Sequence, residues 1–161
     1  FVVGKTNGHI DQSIFAREIL NEKKGPPPEI NLFNEKNNGE NVLKLISEGL
    51  IESAHDVSLG GIITSLSKMA IKGKKGFKLN KIKSLINKFE YYFGEDQARY
   101  IVEVKSTNIN KFQKILDNNS VHYDEIGIVT KKDIIIDKEP ILHIDELIEC
   151  NKNWLINYME N

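Results

Sequence analysis

An α+β fold, a mixed or antiparallel sheet with helices packed on it, is the class this sequence predicts. Amphipathic helical stretches gather in the first half of the chain, and a strand, a helix and two β-rich runs follow between Arg99 and Asp137. The strict strand–helix alternation of a doubly wound parallel sheet is missing. A length of 161 residues suits one domain with a real core better than two ordinary ones.

Phe1 to Gly4 reads as a short buried strand, and Lys5 to Asp11 as a polar turn around Asn7-Gly8, a dipeptide that tolerates positive φ. Ser13 can cap a helix continued by Ile14, Phe15, Arg17, Glu18, Ile19 and Leu20. Gly25-Pro26-Pro27-Pro28 ends it, because proline removes amide donors and holds the backbone extended. These breaks divide one domain, residues 1–161, into a strand–helix arm (1–25), a linker (26–39) and the main body (40–161). Val42, Leu45, Ile46 and Leu50 recur at helical spacing between Glu40 and Ile51, and Ile62, Leu66, Met69 and Ala70 define a second amphipathic helix ending near Gly73. Ala54 to Ser58 interrupts the pattern as a polar loop between them.

Gly76 to Leu79 reads as a short strand and Lys81 to Phe89 as a short helix or irregular connection. Arg99 to Lys105 alternates like a strand, and Thr107 to Asn118 returns to helical periodicity through Phe112, Ile115 and Leu116. Glu125–Val129 and Asp133–Asp137, joined by Thr130-Lys131-Lys132, predict a hairpin. Ile144, Leu147, Ile148 and Leu155 form the closing helix, with Trp154 as its largest anchor.

The 22 basic and 23 acidic residues leave a net charge of −1, which indicates neither a broad nucleic-acid-binding face nor an acidic tail. All the basic residues except Arg17 and Arg99 are Lys, and Ile (23) and Asn (17) are abundant, a bias expected of AT-rich codons. Scattered lysines therefore carry little functional information. The single Cys150 allows no internal disulfide and no Cys-x-x-Cys site, which fits a reducing, cytoplasmic setting. No apolar run approaches the roughly 20 residues of a membrane span, and nothing at the start reads as a signal peptide. The chain opens on Phe1 and a strand, which is the pattern expected of a piece of a longer polypeptide.

Three clusters are candidates for chemistry. Gly4-Lys5-Thr6 matches the end of a phosphate-binding P-loop, but that motif needs its Lys and Thr to open a helix, and Asn7-Gly8 makes a turn instead. In His55-Asp56-Val57-Ser58-Leu59-Gly60-Gly61, the glycines remove bulk where a helix begins, leaving amides that suit a phosphate. Asp56 could ligate magnesium there, while the plainer reading makes Asp56 or Ser58 a helix cap and the glycines a tight turn. In Phe93-Gly94-Glu95-Asp96-Gln97-Ala98-Arg99-Tyr100, two carboxylates, an amide and a guanidinium lead into a strand, which suits either a nucleotide or other polar ligand or a solvated turn with an ion pair. Ser58 and His55 are neighbours in sequence without forming a triad, and His9, His122 and His143 are isolated.

Taken together, Ala54 to Gly61, Met69-Ala70 and Phe93 to Tyr100 closely resemble, in order and spacing, the C-terminal segment of the synthetase subunit in the phosphoribosylformylglycinamidine synthase family, small bacterial type. Gly8-His9-Ile10-Asp11-Gln12-Ser13, the triple proline, Glu125-Ile126-Gly127 and Trp154 to Met159 extend the resemblance over almost the whole chain. It implies an AIR synthase-related C-terminal domain, the second such copy in a longer protein, working in purine biosynthesis. The family uses ATP, magnesium and glutamine-derived ammonia to convert formylglycinamide ribonucleotide to formylglycinamidine ribonucleotide, with a glutaminase subunit and a small accessory subunit as partners. By pseudo-symmetry with the first copy, the resemblance makes His55, Asp56, Ser58, Gly60, Gly61, Glu95, Asp96, Gln97 and Arg99 candidates for an auxiliary nucleotide or substrate-loop site. It makes Asp56 the candidate magnesium ligand, admits a structural ADP, and assigns no catalytic residue to this chain. Leu59 replaces a usual Asp, Asp11 a usual Gly and Lys68 a usual Glu, so a carboxylate that would stand beside Asp56 is absent. A non-catalytic nucleotide-binding or assembly module is the alternative reading.

Overall fold

Val2 and Val3 are both fully buried, a pattern that requires a strand covered on both faces. In the structure of the chain, a computed structural model that describes residues 1–82 and 85–160, they form β1 (Val2–Val3) inside a four-stranded antiparallel sheet. Its order is β2 (Ser53–Asp56), β4 (Tyr100–Glu103), β1 and β5 (Tyr123–Asp124). This sheet belongs to the first of two compact units, Phe1–Leu66 with Lys83–Glu125; the second is Ser67–Ile82 with Ile126–Asn161.

In the first unit, α2 (Leu32–Ser47) and α5 (Ile109–Asn118) build the core against Val3 and Val102. Val42, Leu45, Leu50, Phe112, Leu116 and Val121 complete it, and Phe112 lies 4.9 Å from Phe1 and 5.9 Å from Tyr123 between ring centroids. Phe112 and Leu116, four apart, share one helix face and are fully buried. α1 (Ile14–Glu18) is capped as expected, Ser13 Oγ accepting the Ala16 N–H at 3.1 Å.

α2 begins earlier than its hydrophobic period indicates. Asn31 caps it by accepting the Asn34 N–H at 3.0 Å, so residues 32–39, expected in the linker, form its opening turns. Hydrophobic periodicity missed them because the inward side chains include Asn38 and Asn41, buried polar residues satisfied by the Ala98 and Asn37 carbonyls. The helix also ends before Ile51: Gly49 has φ +65°, the Leu50 N–H bonds the Leu45 carbonyl and the Gly49 N–H bonds the Ile46 carbonyl, a Schellman stop. The stretch expected as a loop at Ala54–Ser58 is corrected too: Ser53–Asp56 is an edge strand, paired residue for residue with β4. An edge position tolerates these polar side chains, which hide the strand from any apolar alternation.

α3 (Gly61–Gly73) matches its expected span and contributes residues to both units. The expected connection at Lys81–Phe89 includes residues 83 and 84, which lie outside the described residues; α4 (Lys88–Phe93) opens at its end.

The second unit holds a four-stranded mixed sheet, ordered β6 (Gly127–Thr130), β3 (Gly76–Leu79), β7 (Asp133–Ile136) and β8 (Leu142–His143). The expected hairpin is therefore corrected: both strands exist, but β3 lies between them, antiparallel to β6 and parallel to β7. Gly76 makes this possible, since a Cβ there would strike the Asp133 backbone and Thr130 where the connection crosses the start of β3. α6 (Ile144–Met159) opens with the His143 N–H bonded to Glu146 at 3.0 Å and Lys132 paired to Asp145 at 2.8 Å. Only Ile144 of α6 is buried, and Trp154, expected as an anchor, is 59% exposed. A helical period shows which side chains share a face, not whether anything covers that face.

Candidate functional site

Backbone pairing brings the second and third sequence clusters together in the first unit. β2 runs antiparallel to β4 with Asp56 opposite Tyr100 and His55 opposite Ile101, and the Val57 N–H bonds the Arg99 carbonyl at 2.9 Å. Beyond β2 the chain turns, the Gly61 N–H bonding the Ser58 carbonyl at 3.0 Å, and α3 begins. Gly60 and Gly61 have φ +82° and +68°, and a Cβ on Gly61 would collide with the backbone of Tyr92 to Gly94. The glycines thus seat the start of α3 on the end of α4, the close approach expected of them. Neither Asp56 nor Ser58 sits where a cap would: the residue before α3 is Gly60, and Asp56 is in the strand.

The acidic pair of the third cluster turns inward. Glu95 Oε1 accepts the Gly60 N–H at 2.8 Å and the Ile14 N–H at 2.9 Å, joining the α3 turn to the start of α1. Asp96 Oδ2 accepts from the Asn7 and Gly8 amides at 3.1 and 2.9 Å, and its Oδ1 from the His9 amide at 3.2 Å. Arg99, 1% exposed, donates to the Gly94 carbonyl at 2.7 Å, the Asp96 carbonyl at 3.1 Å and Thr6 Oγ1 at 3.2 Å, with its Nη1 3.6 Å from Asp96 Oδ2. Burial pulls the Arg99 pKa down, opposed by Asp96, Tyr91 and Glu95, and the group stays a cation held among carboxylates and carbonyls. Glu95, Asp96 and Arg99 are therefore the frame of the loop, and Gln97 is its exposed member, its amide donating a long 3.4 Å bond to the Glu95 carbonyl. Ala98 completes the corner at φ +57°, its carbonyl accepting from the buried Asn38 amide at 2.8 Å.

Asp56 behaves differently. Its side chain is 67% exposed, with His55 Nδ1 3.4 Å from its Oδ1. The Asp56 carbonyl accepts the Ser65 hydroxyl at 3.0 Å, which pins the strand end to α3. Among the described residues no group of three or more His, Cys, Asp or Glu side chains is placed to hold a metal, so Asp56 offers a cation a single carboxylate. Gly4-Lys5-Thr6 opens no helix: Thr6 is buried on Arg99, and α1 begins only at Ile14.

Sequence reasoning missed the Thr6–His9 loop and Asn38 as members of this constellation. The positive-φ dipeptide Asn7-Gly8 was a usable signal, since Gly8 has φ +81° and its amide points to Asp96. Asn38 lay hidden in an Asn-rich run that composition alone explains.

The family model of AIR synthase related protein, C-terminal domain, matches residues 2–138. The phosphoribosylformylglycinamidine synthase subunit PurL of Pelagibacter ubique is 64% identical over 160 residues, 99% of this chain and 22% of that protein. The subunit of the same name from Bartonella quintana is 37% identical over 158 residues, 98% of this chain and 21% of that protein. The chain thus spans about a fifth of the length of the curated relatives it matches. Among solved structures, Thermotoga maritima PurL complexed with FGAR superposes with a TM-score of 0.74 at 19% identity, over 91% of this chain and 27% of that one. PurLQS from the same organism gives a TM-score of 0.65 at 20% identity, over 91% of this chain and 25% of that one. At such identities the structural likeness speaks to fold, and the fold agrees with the family model: this chain belongs to the AIR synthase related protein, C-terminal domain, family.

Proposed function

We propose that this chain is a domain of a phosphoribosylformylglycinamidine synthase of purine biosynthesis, cytoplasmic, which works with further domains of a longer synthetase chain, a glutaminase subunit and a small accessory subunit. The observation that carries the reading is the 64% identity to a PurL subunit across 99% of the chain. In the proposed reaction, the amide oxygen of formylglycinamide ribonucleotide takes the γ-phosphoryl group of ATP with release of ADP, ammonia adds to the activated carbon and gives up a proton, and phosphate leaves with the oxygen. Magnesium, when bound, would neutralise phosphate charge. The domain's part is to complete the synthetase fold and line a pseudo-symmetric nucleotide cleft. Asp56, His55, Ser58 and Gln97 face that cleft in this reading, while Gly60, Gly61, Glu95, Asp96 and Arg99 shape it. A lone carboxylate suits magnesium where nucleotide phosphate and water supply the remaining ligands, so Asp56 fits a nucleotide-dependent magnesium and not an all-protein metal cage.

Calorimetric titration of the chain with ADP and magnesium tests the cleft. Saturable binding that is lost in both Asp56→Ala and Gln97→Ala supports it. Absence of binding, together with stable association to the remaining synthetase domains, favours the second reading, an assembly module without nucleotide.

A further inference from the structure

The Asn7, Gly8 and His9 amides converge on one carboxylate, a concavity of successive backbone N–H groups of the kind that holds phosphate and other oxyanions. Here the occupant is internal. Asp96 is 6% exposed and brings its side-chain oxygens into the nest, with the Arg99 guanidinium behind it and Thr6 beyond. The amides cannot serve a second anion while Asp96 is in place, because each donates its one hydrogen. The loop they belong to reaches further: the His9 ring Nε2 is 3.0 Å from the Pro26 carbonyl, and the Gln12 amide donates to the Gly25 carbonyl at 3.1 Å, so the proline-rich segment hangs on the geometry of this loop.

We infer that the Asn7–His9 nest is an oxyanion site occupied by the chain's own Asp96, which makes Asp96 a positioning residue and sets the Lys5–Gln12 loop without a ligand. An external phosphate recruited to this domain is then held by other groups. The inference stands apart from the proposed nucleotide cleft: the ADP titration can fail while the nest remains filled.

Hydrogen exchange read residue by residue by NMR on the 161-residue chain is the test, with acetate and inorganic phosphate as probes. In the wild type the Asn7, Gly8 and His9 amides are expected to exchange slowly and to ignore both anions. Asp96→Gly should speed their exchange about tenfold or more, the loss of a charge-assisted bond. Acetate or phosphate should slow it again in that variant, where chloride at equal ionic strength does not. Rescue by acetate alone indicates a nest sized for a carboxylate, and rescue by both indicates one that admits phosphate; either result upholds the inference. If Asp96→Gly does not fold, Asp96→Asn keeps the shape and one acceptor oxygen, and it should still speed exchange at the same three amides. Unchanged exchange in Asp96→Asn, a folded Asp96→Gly that neither anion rescues, or phosphate protecting these amides in the wild type would each overturn it.

Discussion

Arg99 shows how much one buried cation can organise. Its guanidinium reaches the Gly94 and Asp96 carbonyls and Thr6 from a position with 1% exposure, a fan of donors that a lysine ammonium cannot reproduce. Arg99→Lys keeps the charge but leaves buried acceptors unsatisfied, and should cost about 1–3 kcal/mol, read as a lower denaturant midpoint. Tyr91 supplies a pH signature. Burial first, then the Asp124 carboxylate and Tyr92, raise its pKa to about 12, with Arg99 opposing. An unfolded tyrosine ionises near 10, so between about pH 10 and 12 the folded chain keeps a proton that the unfolded chain releases, and stability falls as pH rises through that window. Denaturant midpoints measured from pH 9 to 12 should therefore drop less in Tyr91→Phe than in the wild type. The residue types of the site were legible in sequence, but their directions were not. Nothing in Glu95-Asp96-Gln97 says that the first two face the amides of Ile14, Gly60 and Asn7 to His9 while the third faces solvent.

Elements whose signal is local were readable. β1, the start of α1 with its Ser13 cap, α3, β3, β4 and α5 lie close to where apolar spacing and turn residues place them, whereas α1 stops at Glu18, short of the Gly25-Pro26 break expected to end it. The failures of strand assignment and pairing share a cause, in that the deciding contact came from far along the chain. β2 is a strand because β4 pairs with it, and β6 and β7 are held apart because β3 enters between them. The crossing beside Gly76 gives a sharp expectation. Gly76→Ala places a methyl group against backbone that cannot swing aside, so it should destabilise the second unit by about 1–3 kcal/mol, measured by hydrogen exchange of the β3 amides. Trp154→Ser, on the exposed face of α6, should change the stability of the chain by no more than about 0.5 kcal/mol in thermal unfolding.

At the scale of the molecule, the domain covers only about a fifth of the curated relatives it matches, and its candidate site is framed by one short loop, one edge strand and one helix start. The 161 residues supplied with formylglycinamide ribonucleotide, ammonia, ATP and magnesium should form no formylglycinamidine ribonucleotide in a coupled phosphate-release assay, and turnover by the chain alone would sink the proposed function. Sequence by itself determined the α+β class, most helix positions and the two motifs on which the family resemblance rests, because these depend on local periodicity and on residue types in order. Tertiary structure alone decided that the motifs meet, that β3 parts the expected hairpin, that Trp154 is uncovered, and that Asp96 is spent inside the fold. Those outcomes depend on which distant amide, strand or surface a side chain finds, and a linear spacing carries no record of that.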